Sequence, residues 1–467
     1  MKWVLFLVLF SLPSWGTIYL TVSGANVKRA KIAMGQVHPA AEGGATDPQT
    51  ARNVREQLKS DLLFSNLFDF ISEADFAKSD LPQDYNKISY EEFSSAGAAF
   101  ALKLAYSISN GKLNVEAHLY DVPGQKRIFG KKYQSVLAQY YRLVHTISED
   151  ILAELTGEKG LFTSRILMSC WKYPYTTPPP KEVYVVDPDG RNLTQLTFDK
   201  TLSTTPTWMR DGKNITYSQY EWVNRPNLRT RGIVLKKHDL TNGKRQILSS
   251  REGMNSGAAW SPTSNQGVAT LSFTGRPELY FLSKDGGEPE PLSRNIQWKR
   301  LLGDGFQSNQ TSLLFDVESS WAPDGKKIVF SSARTGHPMI YVLDIATKIA
   351  NQLTFAGQYN ASPSWSPRGD KILFAAQRTG EGNFDIYMID PDGNNLTRMT
   401  AGESRPRRRI NSENPSWAPT GRHFAFANNE DGHYSVYVMT VDSTHKTKIS
   451  PPDKECFTPS WGPNEGS

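Results

Sequence analysis

Six tryptophans constrain this chain more than any other feature. Trp208, Trp260, Trp321, Trp365, Trp417 and Trp461 stand in similar phrases, among them "SSWAPDGKKIVF", "SPSWSPRGDKILF" and "NPSWAPTGRHFAF", at spacings of 52, 61, 44, 52 and 44 residues. After each of the first five come an apolar run, a Gly-containing turn and a second apolar run ending in a polar turn, such as "ELYFLSKDGG", "MIYVLDIAT" and "DIYMIDPDG". A period of about 45 to 50 residues with four short strands per copy predicts a β-propeller blade. Trp461 has too little chain after it for three more strands, yet three suitable segments precede the first tryptophan: "FTSRILMSC", "KEVYVVDPDG" and "NLTQLT". The sixth blade is therefore expected to be built from both ends of residues 161–463, a clasp that removes open sheet edges.

The clasp has a consequence for Cys170 and Cys456, the only two cysteines. Aligning them on the fourth repeat puts them on neighbouring strands, one residue from directly opposite. A disulfide across the closure is the sharper expectation, and two buried thiols the alternative.

Residues 17–160 lack the repeat. "DPQTARNVREQLKSDLL" carries Val54, Leu58 and Leu62 at helical spacing, and "YYRLVHTISEDILAELTG" is a second helix stopped by Gly157. Asn110-Gly111 between two apolar runs is a hairpin turn. A small α+β domain ahead of the propeller is expected. Before it, Lys2, the apolar run 3–12 and Ser14-Trp15-Gly16 read as a secretory signal peptide over residues 1–16, with an uncleaved anchor as the alternative.

Evidence for chemistry is thin. There is no Gly-x-Ser-x-Gly elbow, and the eight histidines show no His-x-x-x-His spacing, so neither a hydrolase site, a metal centre nor a cofactor is expected. Repeated Asp-Gly pairs read as turns rather than calcium ligands. A net charge of +6, from 53 Lys+Arg against 47 Asp+Glu, with only Arg405 to Arg409 as a basic cluster, argues against nucleic-acid binding. Function is then expected where the repeats stop resembling one another, just before each tryptophan: Thr204 and Thr205, Met254 and Asn255, Val317 and Glu318, Asn360 and Ala361, Glu413 and Asn414, Cys456 and Phe457.

The signal, the α+β domain, the Trp-Ser/Ala-Pro-Asp-Gly blades and the passage "HTISEDILAELTGEKGLFTSRI" together resemble the TolB family, periplasmic propeller proteins of the Tol-Pal envelope system. The resemblance implies a non-enzymatic, monomeric periplasmic adaptor. It would bind the lipoprotein Pal over the propeller mouth and TolA through its mature N-terminal strand, supporting outer-membrane integrity during division. By position, Asn255, Glu318, Asn360 and Glu413 would face Pal, and Thr17, Ile18, Tyr19, Leu20, Thr21, Val22, Ser23 and Gly24 would meet TolA. Met254 departs from the family, where a polar residue is usual, and so does Met209-Arg210 after Trp208. The rival readings are a peptidase-like propeller and a wall-glycan-binding one.

Overall fold

The structure, a computed structural model, describes residues 29–40, 43–76, 88–175, 179–225, 228–293, 314–377, 382–400, 409–442 and 445–463. The chain divides between Lys159 and Gly160 into two compact units.

In the first unit, β1 (Ala30–Pro39) lies inside a five-stranded sheet. It runs parallel to β2 (Phe68–Phe70) on one side and to β3 (Phe100–Ser109) on the other. The sheet continues antiparallel through β4 (Lys112–Asp121) to β5 (Lys126–Val136). Asn110 and Gly111 both have positive φ, 50° and 71°, as a two-residue hairpin turn requires. The helices α1 (Pro48–Phe64) and α3 (Tyr140–Thr156) contact each other and the sheet, while α2 (Tyr90–Ser95) is a short turn of helix. Pro48 starts α1 behind the Asp47 cap, whose carboxylate accepts from the Gln49 and Thr50 amides. Gly157 ends α3 in the left-handed conformation. Both long helices and the hairpin lie where the sequence pattern puts them. The three-residue β2 and six-residue α2 are too short to leave a periodic signal.

The second unit is a ring of six four-stranded antiparallel blades. Three strands of the closing blade come first: β6 (Ile166–Lys172), β7 (Glu182–Val186) and β8 (Thr194–Gln195). The first complete blade holds β9 (Ser203–Trp208), β10 (Asn214–Arg225), β11 (Leu228–Asp239) and β12 (Arg245–Ser249). The second holds β13 (Asn255–Trp260), β14 (Gln266–Leu271), β15 (Glu278–Ser283) and β16 (Glu290–Pro291). The third holds β17 (Asp316–Trp321), β18 (Lys327–Ser332), β19 (Met339–Asp344) and β20 (Ile349–Gln352). The fourth holds β21 (Tyr359–Trp365), β22 (Ile372–Gln377), β23 (Phe384–Ile389) and β24 (Thr397–Arg398). The fifth holds β25 (Ser412–Trp417), β26 (His423–Asn428), β27 (Ser435–Thr440) and β28 (Lys446–Lys448). Finally β29 (Lys454–Trp461) returns to pair with β6 as the innermost strand of the closing blade. The innermost strands touch in closed succession, with β29 meeting β9, so the sheet has no gap around its axis.

The repeated residues are the material of this ring. Trp321 packs on Val268, Leu279 and Phe281 of the preceding blade and donates from Nε1 to the Ala259 carbonyl at 3.0 Å. Trp417 does the same to Ser364, also at 3.0 Å. Trp321 and Trp417 thus each join two blades, burying apolar area while keeping the indole N–H satisfied. The Asp-Gly pairs close turns: Gly325 sits at φ 69° with its amide donating to Ala322, and Asp324 accepts from the Lys326 amide at 2.9 Å.

The closure holds a correction. Cys170 and Cys456 are bonded, with Cα atoms 4.2 Å apart, and they stand directly opposite each other rather than diagonally. The cause is a β-bulge in every innermost strand. In β29 the register shifts between Phe457 and Ser460, and that one-residue shift moves Cys456 into line with Cys170. A disulfide closing a loop 286 residues long removes conformational freedom from the unfolded chain and stabilises by on the order of 3 to 5 kcal/mol.

Candidate functional site at the propeller mouth

The same bulge builds the mouth. It falls three residues before each tryptophan, where the backbone takes positive φ: Thr205 (48°), Gly257 (62°), Glu318 (54°), Ser362 (50°), Asn414 (54°) and Thr458 (47°). Five of these six are not glycine, and a left-handed conformation repeated at one position of every blade is imposed by the fold. These residues form a ring near the start of the innermost strands, at the end where the loops are unequal. The opposite end carries the turns after each tryptophan, which are Pro-x-Gly in the third, fourth and fifth blades.

Hydrogen bonds link the ring across blades. Glu318 Oε2 accepts from the Ser362 amide at 2.6 Å and from its hydroxyl at 3.3 Å, and Asn414 Nδ2 donates to Ser362 Oγ at 3.1 Å. Residues 44 and 52 positions apart in sequence thereby form one chain of contacts through the third, fourth and fifth blades. Beside it, Glu413 accepts from the Tyr434 hydroxyl at 2.8 Å. Glu318 is open to the water of the channel yet surrounded by protein. That enclosure holds its carboxyl above the usual range, the Ser362 donors offset part of the rise, and the charge of Glu413 adds to it. Desolvation raises Glu413 as well, against the Tyr434 hydrogen bond. Tyr359, 39% exposed, completes the cluster; burial and then the charges of Glu318 and Glu413 raise its phenol.

The four candidates from the sequence therefore divide. Glu318 and Glu413 come together at the mouth. Asn255 and Asn360, two residues before the left-handed position of their strands, are buried, 0% and 1% exposed, with their side-chain N–H donors committed internally. Asn255 Oδ1 accepts from Ser249 Oγ at 2.5 Å, and its Nδ2 donates to the carbonyls of Ile233, Arg251 and Gly253. Asn360 Nδ2 donates to Thr354 Oγ1 at 2.8 Å and to the Ala356 carbonyl at 3.1 Å. Both stand five residues before their tryptophan, a position buried in every blade: Ser203, Asn255, Asp316, Asn360, Ser412 and Cys456. In this structure they hold the loop that enters the innermost strand and offer nothing to a partner. Met254 is half-buried beside Asn255. Residues 1–16 and the segment from Thr17 to Gly24 lie outside the described residues, as do residues 405–408 of the arginine cluster.

Sequence reasoning missed Tyr359, Tyr434 and Ser362, and had Asn414 only as one of the residues just before a tryptophan. A signal for the ring was present, since proline follows the left-handed residue in four copies, at Pro206, Pro363, Pro415 and Pro459. Proline inside a central strand marks a bulge. At the far end the channel widens to a cavity of about 600 Å³ lined by the six tryptophans and the Ser or Thr before most of them. Being made of repeated residues, that cavity follows from the scaffold.

The model of the TolB beta propeller domain matches residues 152–465, and that of the TolB amino-terminal domain matches residues 18–128. The chain belongs to the TolB family. It is 28% identical over 445 residues to the protein TolB homolog of Chlorobium luteolum, covering 95% of this chain and 92% of that one. It is 28% identical over 279 residues to the Tol-Pal system protein TolB of Desulfosudis oleivorans, covering 59% and 60% of the two chains. The crystal structure of TolB from Acinetobacter baumannii superposes with a TM-score of 0.72 at 22% identity, over 95% of this chain and 99% of that one. The TolB fold is thus shared across nearly the whole length. Among the described residues, no helix is long and apolar enough to cross a membrane.

Proposed function

We propose that this chain is a non-enzymatic, monomeric adaptor of the Tol-Pal system in the periplasm. It binds Pal over the propeller mouth and TolA through the segment Thr17 to Gly24, and supports outer-membrane integrity during division. The observation that carries the reading is the pair of enclosed carboxylates, Glu318 and Glu413, on a rigid ring of left-handed residues. Each is costly as an unpaired anion there, so a cation or N–H donor brought by a partner relieves both. The strand ends are already ordered, which keeps the entropic cost of association low. Tyr359 and Tyr434 add the amphipathic rings favoured at protein contacts. Asn255 and Asn360 serve this surface from beneath, by holding the strand entries in place.

Calorimetry with Pal of the same organism tests the mouth. Glu318→Gln with Glu413→Gln is expected to weaken Pal at least tenfold, about 1.4 kcal/mol or more, with unchanged thermal unfolding at low pH. Unchanged affinity counts against the mouth. Deleting Thr17 to Gly24 is expected to spare Pal binding and remove TolA binding, and loss of both together speaks against a separate N-terminal role.

A further inference from the structure

In the first blade, β10 and β11 are twelve residues each, whereas the corresponding strands in the other complete blades have six. Ladder pairing of β10 with β9 ends at Gln219 and Ser203, the Tyr220 amide makes a last tie to the Leu202 carbonyl at 2.9 Å, and β10 then continues through Arg225 beside β11. Six further residues at about 3.3 Å each carry this ribbon roughly 20 Å beyond the sheet, at the mouth end. A two-stranded ribbon is barely stable by itself and leaves both edges unpaired.

One face of the arm carries an unusual set of side chains. Trp222 is directly opposite Arg231, and Tyr220 is opposite Ile233. Trp222 is 53% exposed and Tyr220 36%. The guanidinium of Arg229 lies 5.3 Å from the Trp222 ring centre and that of Arg231 lies 5.1 Å from it, with Arg231 also 6.0 Å from Tyr220. Among the described residues neither arginine has a carboxylate partner, while Glu221 on the same arm is taken by Lys236. A guanidinium stacked on an aromatic ring is held in place with its in-plane N–H edge directed outward, the arrangement that receives a carboxylate through two hydrogen bonds.

We infer that this arm is a docking site for an extended, acidic segment of a protein partner, received by Arg229 and Arg231 across Trp222. The open edges of the ribbon offer main-chain hydrogen bonds to a strand laid beside it, and the arginines select its carboxylates. Among the described side chains of the arm two arginines are exposed, short of the four to eight cations that mark a lipid-headgroup surface. With guanidiniums 5.1 and 5.3 Å from its centre, the Trp222 ring is flanked by N–H donors, which suit a carboxylate better than a neutral sugar. The surface is separate from Glu318 and Glu413 and of opposite charge, so it stands or falls independently of the mouth.

The test uses the full chain and a fluorescently labelled peptide of five Glu-Thr repeats, followed by anisotropy. Binding is expected to weaken with added salt, to fall at least tenfold in Arg229→Glu with Arg231→Glu and in Trp222→Ala, and to be unchanged in Glu318→Gln with Glu413→Gln. Thermal unfolding of the arm variants should match the parent, since these side chains are exposed. No binding by the parent chain, or binding that survives charge reversal, overturns the proposal. So does use of the same residues for phosphatidylglycerol vesicles or muropeptides in place of the peptide.

Discussion

Glu318 shows how one position can be scaffold and surface at once. Its backbone is the left-handed bulge residue that every blade needs, and its side chain is the carboxylate enclosed at the mouth. Because its folded pKa is raised, the native chain holds that proton more tightly than the unfolded chain does. Its contribution to stability is therefore most favourable below the unfolded value near 4.5 and declines as pH rises through the folded one. Glu318→Gln is expected to melt about 1 to 3 °C above the parent at pH 7, with the gap closing towards pH 4. A gap independent of pH would show that enclosure of the charge is not its cause. Asn360 behaves oppositely. Asn360→Ala removes the donor to Thr354 and Ala356 from a fully buried site and is expected to cost about 1 to 3 kcal/mol in urea unfolding, whether or not Pal is present. The two residues looked alike in sequence because both precede a tryptophan. Position relative to the bulge separates them, five residues before against three, and the proline that reports the bulge is missing from the third blade, where Ser319 stands.

At the scale of strands, whatever repeats could be read ahead of the structure and whatever deviates could not. Six copies of one phrase give the blades, their order and the divided closing blade, since a period needs only counting. The bulge escaped because it leaves the spacing between tryptophans unchanged and alters only which residues face each other across the hairpin. The long arm escaped for another reason: "SQYEWVNRPNLRTRG" interrupts the expected second and third strands with polar residues and a proline, and reads as a loop. In the structure the alternation of Tyr220, Trp222 and Asn224 with Glu221 and Val223 keeps it extended. The paired cysteines belong at this scale as well. Reducing the Cys170–Cys456 bond under native conditions is expected to be slow, both residues being 0% exposed. The Cys170→Ser, Cys456→Ser chain is expected to unfold at lower urea, by on the order of 3 to 5 kcal/mol. A midpoint equal to that of the parent would mean that β29 is held by pairing alone.

For the whole molecule, the decisive event is closure of the ring, and it depends on eight residues at the end of the chain. β29 supplies the innermost strand of the closing blade and also touches its neighbours. Trp461 Nε1 donates to Ser164 Oγ at 2.7 Å, the Trp461 amide donates to Ser416 Oγ of the fifth blade at 2.9 Å, and the Cys456 amide donates to the Tyr434 carbonyl at 2.9 Å. Removing it would uncover an edge of β6, separate the faces that Trp461 joins and free Cys170. Because each blade buries its apolar face only against the next, a ring opened at one seam loses two such faces at once, and the remaining five blades have no partner for their ends. A chain truncated after Pro451 is therefore expected to lose its cooperative thermal transition and to bind a hydrophobic dye. Adding a synthetic peptide of residues 452–463 should restore both the transition and, through the Tyr434 and Glu413 contacts, the mouth. A truncated chain with the parent's near-ultraviolet circular dichroism would show instead that five blades and three strands hold their curvature without the clasp.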